Sequence, residues 1–136
     1  MSIEFRGLEE VLDSLDIINP EKLNAALGKA CALVERSAKE KAPKDTGQLR
    51  QSITSKVEDG VGVIFTPLEY APYVEYGTGL FAENGGRKDV PWCYQDDAGN
   101  WHSTSGQHPQ PFMRPALDEN RMEIMRILKE GITEND

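Results

Sequence analysis

Apolar positions recur along this chain with two periods, and the change from one to the other divides it. After a short strand over residues 2–6, Leu8, Val11, Leu12 and Leu15 repeat at helical spacing up to Asn19, which predicts a first short helix. Asn19-Pro20 starts a second helix, with Asn as N-cap, Pro at the first helical position and Glu21 near the positive end of the dipole. Leu23, Leu27, Ala30, Val34 and Ala38 form its apolar stripe, widened by Ala26 and Cys31, and it ends before Pro43. The alanines predict close approach to a sheet or another helix. Beyond the turn cluster Ala42-Pro-Lys-Asp-Thr-Gly47 the period becomes two, with Leu49, Ile53 and Val57 on one face of a strand and Arg50, Ser52, Thr54 and Lys56 on the other. The next strand, 61–65, puts Val61, Val63 and Phe65 on its apolar face. A two-residue Asp59-Gly60 turn would set those residues against Glu58, Lys56 and Thr54, whereas a three-residue loop from Glu58 pairs Val57 with Val61 and Ile53 with Phe65. Register favours the three-residue loop.

Tyr70-Ala-Pro-Tyr-Val-Glu-Tyr-Gly-Thr-Gly79 concentrates tyrosine, glycine and proline. Pro72 can open a helical turn and Gly77 can close it with a left-handed residue, so that Tyr70, Tyr73 and Val74 share one face and plug into a larger body. Residues 78–90 have no period and read as a mobile loop that leaves Leu80 and Phe81 available to a partner. Trp92-Cys-Tyr-Gln, a turn over 96–100 and Trp101-His-Ser-Thr predict a hairpin within 91–104. Prolines set an extended approach over 106–115 that delivers Phe112 to the core, and a closing helix from Pro115 to about Gly131 buries Leu117, Ile124, Ile127 and Leu128. The sum is a single α+β domain, 1–136: a small antiparallel sheet with two main helices on one face, plus a hairpin insertion and a long mobile loop.

Nine of the ten aromatics lie between Phe65 and Phe112, so the heavy packing is central. A net charge of −8 leaves no basic footprint for direct nucleic-acid recognition or an anionic membrane, and no apolar run has signal or membrane-spanning length. Cys31 and Cys93 lack paired spacing, which points to a reducing cytoplasm rather than a disulfide framework. Cys93, His102 and His108 are the residues around which a small metal-dependent hydrolytic enzyme could be built, but they lack the close spacing of a zinc motif. The glycines at 77, 79, 85 and 86 match no phosphate-binding loop. No catalytic, cofactor or metal residue is therefore expected; a cytosolic adaptor binding a peptide along a sheet edge is the other alternative. Residues 1–21 sum to −5 and residues 29–56 to +4, a pairing that lets copies meet head to tail.

Three segments in order, Ala42-Pro-Lys-Asp-Thr-Gly-Gln-Leu-Arg-Gln-Ser-Ile53, Tyr70 to Gly79, and Gly106-Gln-His-Pro-Gln-Pro-Phe-Met-Arg-Pro-Ala-Leu-Asp118, resemble the successive signatures of one family. It is the minor tail-component family of long-tailed bacteriophages and prophages, the tail-completion or head-to-tail joining proteins. The resemblance spans roughly residues 20–130, and the hairpin is similar to an insertion found in many members. It implies a small sheet flanked by helices, no enzyme chemistry, assembly in the host cytoplasm, and a place in the virion where tail meets neck. Its implied partners are copies of itself, typically in a sixfold ring, the tail tube protein on one side, and a head-completion or stopper protein on the other. The turn 43–48 and the loop 78–90 are then the expected assembly surfaces, through Lys44, Asp45, Thr46, Gly47, Thr78, Gly79, Leu80, Phe81, Arg87 and Lys88. Tyr70, Tyr73, Glu75, Gly77, Pro111, Phe112, Arg114 and Pro115 are expected to shape turns and to fix how the last helix enters the core, with Glu75 and Arg114 candidates for an ion pair.

Overall fold

The structure, a computed structural model, describes residues 1–5, 20–44, 47–83, 85–86 and 89–133. The first short helix expected over 8–15, and the Asn19 cap, lie outside the described residues. Two compact units are present, Met1–Leu68 with Phe112–Asp136, and Glu69–Pro111.

The first unit begins with strand β1 (Ser2–Phe5) and helix α1 (Pro20–Lys41), followed by a short helix α2 (Gln48–Ser52) and strands β2 (Thr54–Glu58) and β3 (Val61–Phe65). The three strands form an antiparallel sheet in the order β1-β3-β2. On α1 the buried side chains are Leu23, Ala26, Leu27, Ala30, Cys31, Val34, Ser37 and Ala38, the stripe that the helical period predicts with one serine added. This face lies against β2 and β3. Burial, and secondarily the charge of Glu35, push the Cys31 thiol up to about 11, against an opposing hydrogen bond with the Val63 backbone. Cys31 thus remains a neutral core residue.

Two readings of this region are corrected. Residues 48–52 are helical rather than the start of a strand, and Leu49 and Ile53 are both buried. Their spacing of four places them on one face in either geometry, so the apolar pattern does not distinguish the two. The strand register is also different: Glu58 pairs with Val61 and Thr54 with Phe65, across a two-residue turn in which Asp59 has φ 50 and Gly60 φ 77. Two positive φ values make the mirror-image turn whose twist suits a hairpin. Consequently Gly62 and Ile64 are the buried side of β3, and Val61, Val63 and Phe65 are half-buried on the opposite side. Lys56 stands over the Phe65 ring there, its Nζ 5.8 Å from the centroid.

The second unit contains helix α3 (Ala71–Tyr76), a 3-10 turn over Gly79–Phe81, and the paired strands β4 (Trp92–Gln95) and β5 (Trp101–Thr104). Pro72 lies in the first turn of α3, as its missing N–H favours. Its buried face is Ala71 and Glu75, not the expected Tyr70, Tyr73 and Val74; Tyr73 is 60% exposed. Gly77 has positive φ but an extended ψ, 82° and 174°, so it ends the helix without a left-handed cap. Thr78 N–H then donates to the Gln107 carbonyl at 2.9 Å.

The chain returns to the first unit through helices α4 (Met113–Glu119) and α5 (Arg121–Thr133). The single closing helix expected from sequence is thus broken at Asn120. Asn120 Nδ2 donates to the Ala116 carbonyl at 2.7 Å, while its own carbonyl accepts from Ile124 at 2.8 Å, so one residue closes α4 and opens α5. Phe112, Met113, Ala116, Ile124 and Leu128 are buried, and Leu117 and Ile127 only half so. Gly131 faces Ala26 closely enough that an added Cβ would come within 2.6 Å of the alanine methyl. This is the close helix approach that the alanines of α1 predict.

Two substitutions check the assignment of core and surface by urea unfolding. Phe112→Ala is expected to lose about 3–5 kcal/mol. Tyr73→Ala is expected to change stability by less than about 0.5 kcal/mol, and a large loss there would restore the tyrosine plug.

Candidate assembly surface

Gly47 determines how the turn after α1 is built. Its φ of 71° lets its carbonyl accept from Gln51 at 3.0 Å, which starts α2 and carries Arg50 back over the end of α1. Arg50 Nε then donates to the Lys39 carbonyl at 3.0 Å, satisfying one of the acceptors that a helix C-terminus leaves open. The result is a recess of about 200 Å³ lined by Arg36, Lys39, Glu40, Lys44 and Arg50. Lys39 also faces Glu35 at 3.6 Å. Lys44 is exposed, and Asp45 and Thr46 lie outside the described residues.

The segment after α3 is anchored by backbone bonds. Leu80 N–H donates to the Ser105 carbonyl at 3.0 Å, Glu83 N–H to Tyr76 at 2.9 Å, and Gln107 N–H to Thr78 Oγ1 at 2.9 Å. Gly79 and Gly106 permit this contact, since a Cβ on Gly79 would collide with the Ser105 carbonyl and one on Gly106 with the Thr78 carbonyl. Leu80 nevertheless stays 56% exposed. Phe81 is half-buried against the His108 ring, centroids 3.9 Å apart. Arg87 and Lys88 lie outside the described residues. The two sets of expected surface residues therefore belong to different units.

Sequence reasoning did not select the hairpin as a surface, yet it carries the most exposed aromatic side chain among the described large hydrophobic residues. Cross-strand pairing of Tyr94 with His102 and Gln95 with Trp101 puts alternate residues on opposite sides. Tyr94 stacks on His102 at 5.3 Å and is 45% exposed; Trp101, on the other side, is 70% exposed. The sequence marks these aromatics but not the register of the two strands, and the register alone puts Trp101 on the side opposite Tyr94. Met122 and Met125 are likewise exposed on α5.

The hairpin loop is fixed by its own polar groups. Asp96 Oδ1 accepts from Asn100 N–H at 2.8 Å and Asp96 Oδ2 from His102 Nε2 at 2.7 Å, while Gln95 Nε2 donates to the Gly99 carbonyl at 2.9 Å. The His102 bond, then the Asn100 amide, hold the Asp96 carboxyl below its usual range. Cys93 lies on the face opposite His102 and His108 packs on Phe81, so these three do not converge. Among the described residues no three His, Cys, Asp or Glu side chains are placed to hold a metal, and no helix is long and apolar enough to cross a membrane.

The fold is a small α+β one that exposes apolar and charged side chains on short, hydrogen-bonded turns. The sequence pattern of the HK97-gp10-like family, described as a bacteriophage tail component, matches residues 6–77, more than half of the chain. The chain belongs to this family of phage tail components. The matched span includes the Ala42–Ile53 and most of the Tyr70–Gly79 signatures, while the hairpin and the Gly106–Asp118 signature lie beyond it. No curated protein and no solved structure matches.

Because the Asp96 pKa is depressed in the folded hairpin, the stability it contributes is present above the unfolded carboxyl value and is lost as pH falls through the folded one. A carbon-detected NMR titration of the Asp96 carboxyl is expected to give a midpoint below the ordinary 3.8, moving back toward it in His102→Ala. An unchanged midpoint in that variant would show that the Asn100 amide, not His102, is the main cause.

Proposed function

We propose that this tail component is a structural subunit of the tail–neck junction, where copies of the chain form a sixfold ring that completes the tail and joins it to the head. The tail tube protein lies on one side of the ring and a head-completion or stopper protein on the other. The chain performs no chemistry of its own in this role; its work is to present surfaces. Membership of the tail-component family is the observation that carries the reading. The order of the three signature segments along the chain supports the junction in particular.

Leu80 and the turn 43–48 are the surfaces through which we assign contact. Leu80 is an exposed apolar side chain on a turn held by backbone hydrogen bonds, so covering it gains hydrophobic free energy at small ordering cost. About 1 kcal/mol per copy is the expected scale for the remaining exposed part of a leucine, and a ring multiplies it. Arg87 and Lys88 on the same segment, and Lys44 to Gly47 on the other, complete the proposed interface.

Disrupting the gene in its phage or prophage, inducing, and imaging the lysate by negative stain is expected to show filled heads beside detached tails, or tails of uncontrolled length. Leu80→Ser should keep the thermal unfolding midpoint and lower the yield of joined particles. Intact, infectious virions from the disrupted strain would contradict the proposed role.

A further inference from the structure

The recess at the end of α1 contains a cation left incompletely satisfied among the described residues. Arg50 Nη2 is buried and has no hydrogen-bond partner, although Arg50 Nε is occupied by the Lys39 carbonyl. A buried guanidinium N–H without an acceptor is costly, and negative charge brought to the mouth of the recess offsets part of that cost. Arg36 and Lys44 add two further cations without an ion pair among the described residues; Lys39 is shared with Glu35, and Glu40 is the one acid in the lining. Among the described residues the recess therefore has a net positive lining. Its size, about 200 Å³, suits one or two carboxylates of a turn and not a continuous phosphate backbone.

The chain itself displays such a turn. Asp96 and Asp97 stand at the end of a two-stranded hairpin, and Asp96 is fixed by Asn100 and His102 while Asp97 is exposed and makes no bond among the described residues. A two-stranded hairpin exposed on both faces is marginal in water, so a second body that covers it stabilises it. We infer that the acidic hairpin turn of one copy, through Asp97, docks in the Arg36–Lys44–Arg50 recess of a neighbouring copy. The inference rests on the ring reading: a hairpin on one unit and a recess on the other make a heterologous contact, in which each copy gives one surface and receives the other, and such contacts close into rings. Charge-assisted bonds from the exposed Arg36 and Lys44 to a carboxylate would fix the angle between neighbours.

Reciprocal charge reversal in the phage tests the contact. Asp97→Lys and Lys44→Glu alter exposed side chains, so each is expected to retain the wild-type unfolding midpoint while reducing infectious yield by about tenfold or more, and the double variant is expected to recover most of it. In a Cys93→Ser background, Asp97→Cys with Lys44→Cys is expected to give disulfide-linked oligomers on isolated tails. Full infectivity of both single reversals, no recovery in the pair, or a cross-link confined within one chain would each overturn the inference while leaving the ring reading standing. Salt-sensitive binding of a labelled DNA duplex at about 50 mM salt that Lys44→Glu abolishes would assign the recess to phosphate and overturn it as well. Failure of the ring reading shows separately, as intact virions from the disrupted strain.

Discussion

The apolar stripe of α1 is the constraint on which the first unit depends. Leu27, Ala30, Val34 and Ala38 are fully buried, and the same helix lies against β2, β3, α4 and α5. The other elements are short: strands of four or five residues, and helices of five, seven and thirteen. Segments of that length are marginal alone and gain their stability by packing. Losing the stripe would therefore release the sheet and the C-terminal helices together. The small side chains of α1 also set distances, as the contact of Ala26 with Gly131 shows.

A few contacts connect that core to the surface. Packing fixes α1, the end of α1 offers the Lys39 carbonyl, and Arg50 on α2 takes it. Arg36, Lys44 and Arg50 consequently line one recess although fourteen positions separate the first from the last. The second unit reaches the same end by another route, through backbone hydrogen bonds between the Thr78–Leu80 and Ser105–Gln107 segments rather than a large apolar core. Both arrangements hold exposed groups in place before any partner arrives, which lowers the ordering cost of assembly.

Legibility in the sequence followed length and redundancy. Helix α1 was readable because 22 residues repeat one period and Pro20 marks its start. The β4–β5 hairpin was readable from its turn. Helix α2 was not, since Leu49 and Ile53 satisfy both periods and the decisive hydrogen bonds involve Gly47, Lys39 and the Ser52 hydroxyl. In β3, counting apolar residues favoured Val61, Val63 and Phe65, whereas the buried side is Gly62 and Ile64. A glycine adds nothing to such a count. Tyr70 and Tyr73 were weighted by size, and the buried face of α3 instead carries a glutamate that no apolar period would select. Of the site, exposed Leu80 was readable from the loss of period around it, and the cationic recess was not, because it exists only once residues 48–52 are a helix.

A ring at the tail–neck junction is the central claim, and location tests it most directly. Purified virions carrying an epitope tag fused after Asp136, labelled with gold-conjugated antibody and viewed by electron microscopy, are expected to show gold at the joint between head and tail. Gold along the tube or at the distal tip of otherwise joined particles would contradict the account.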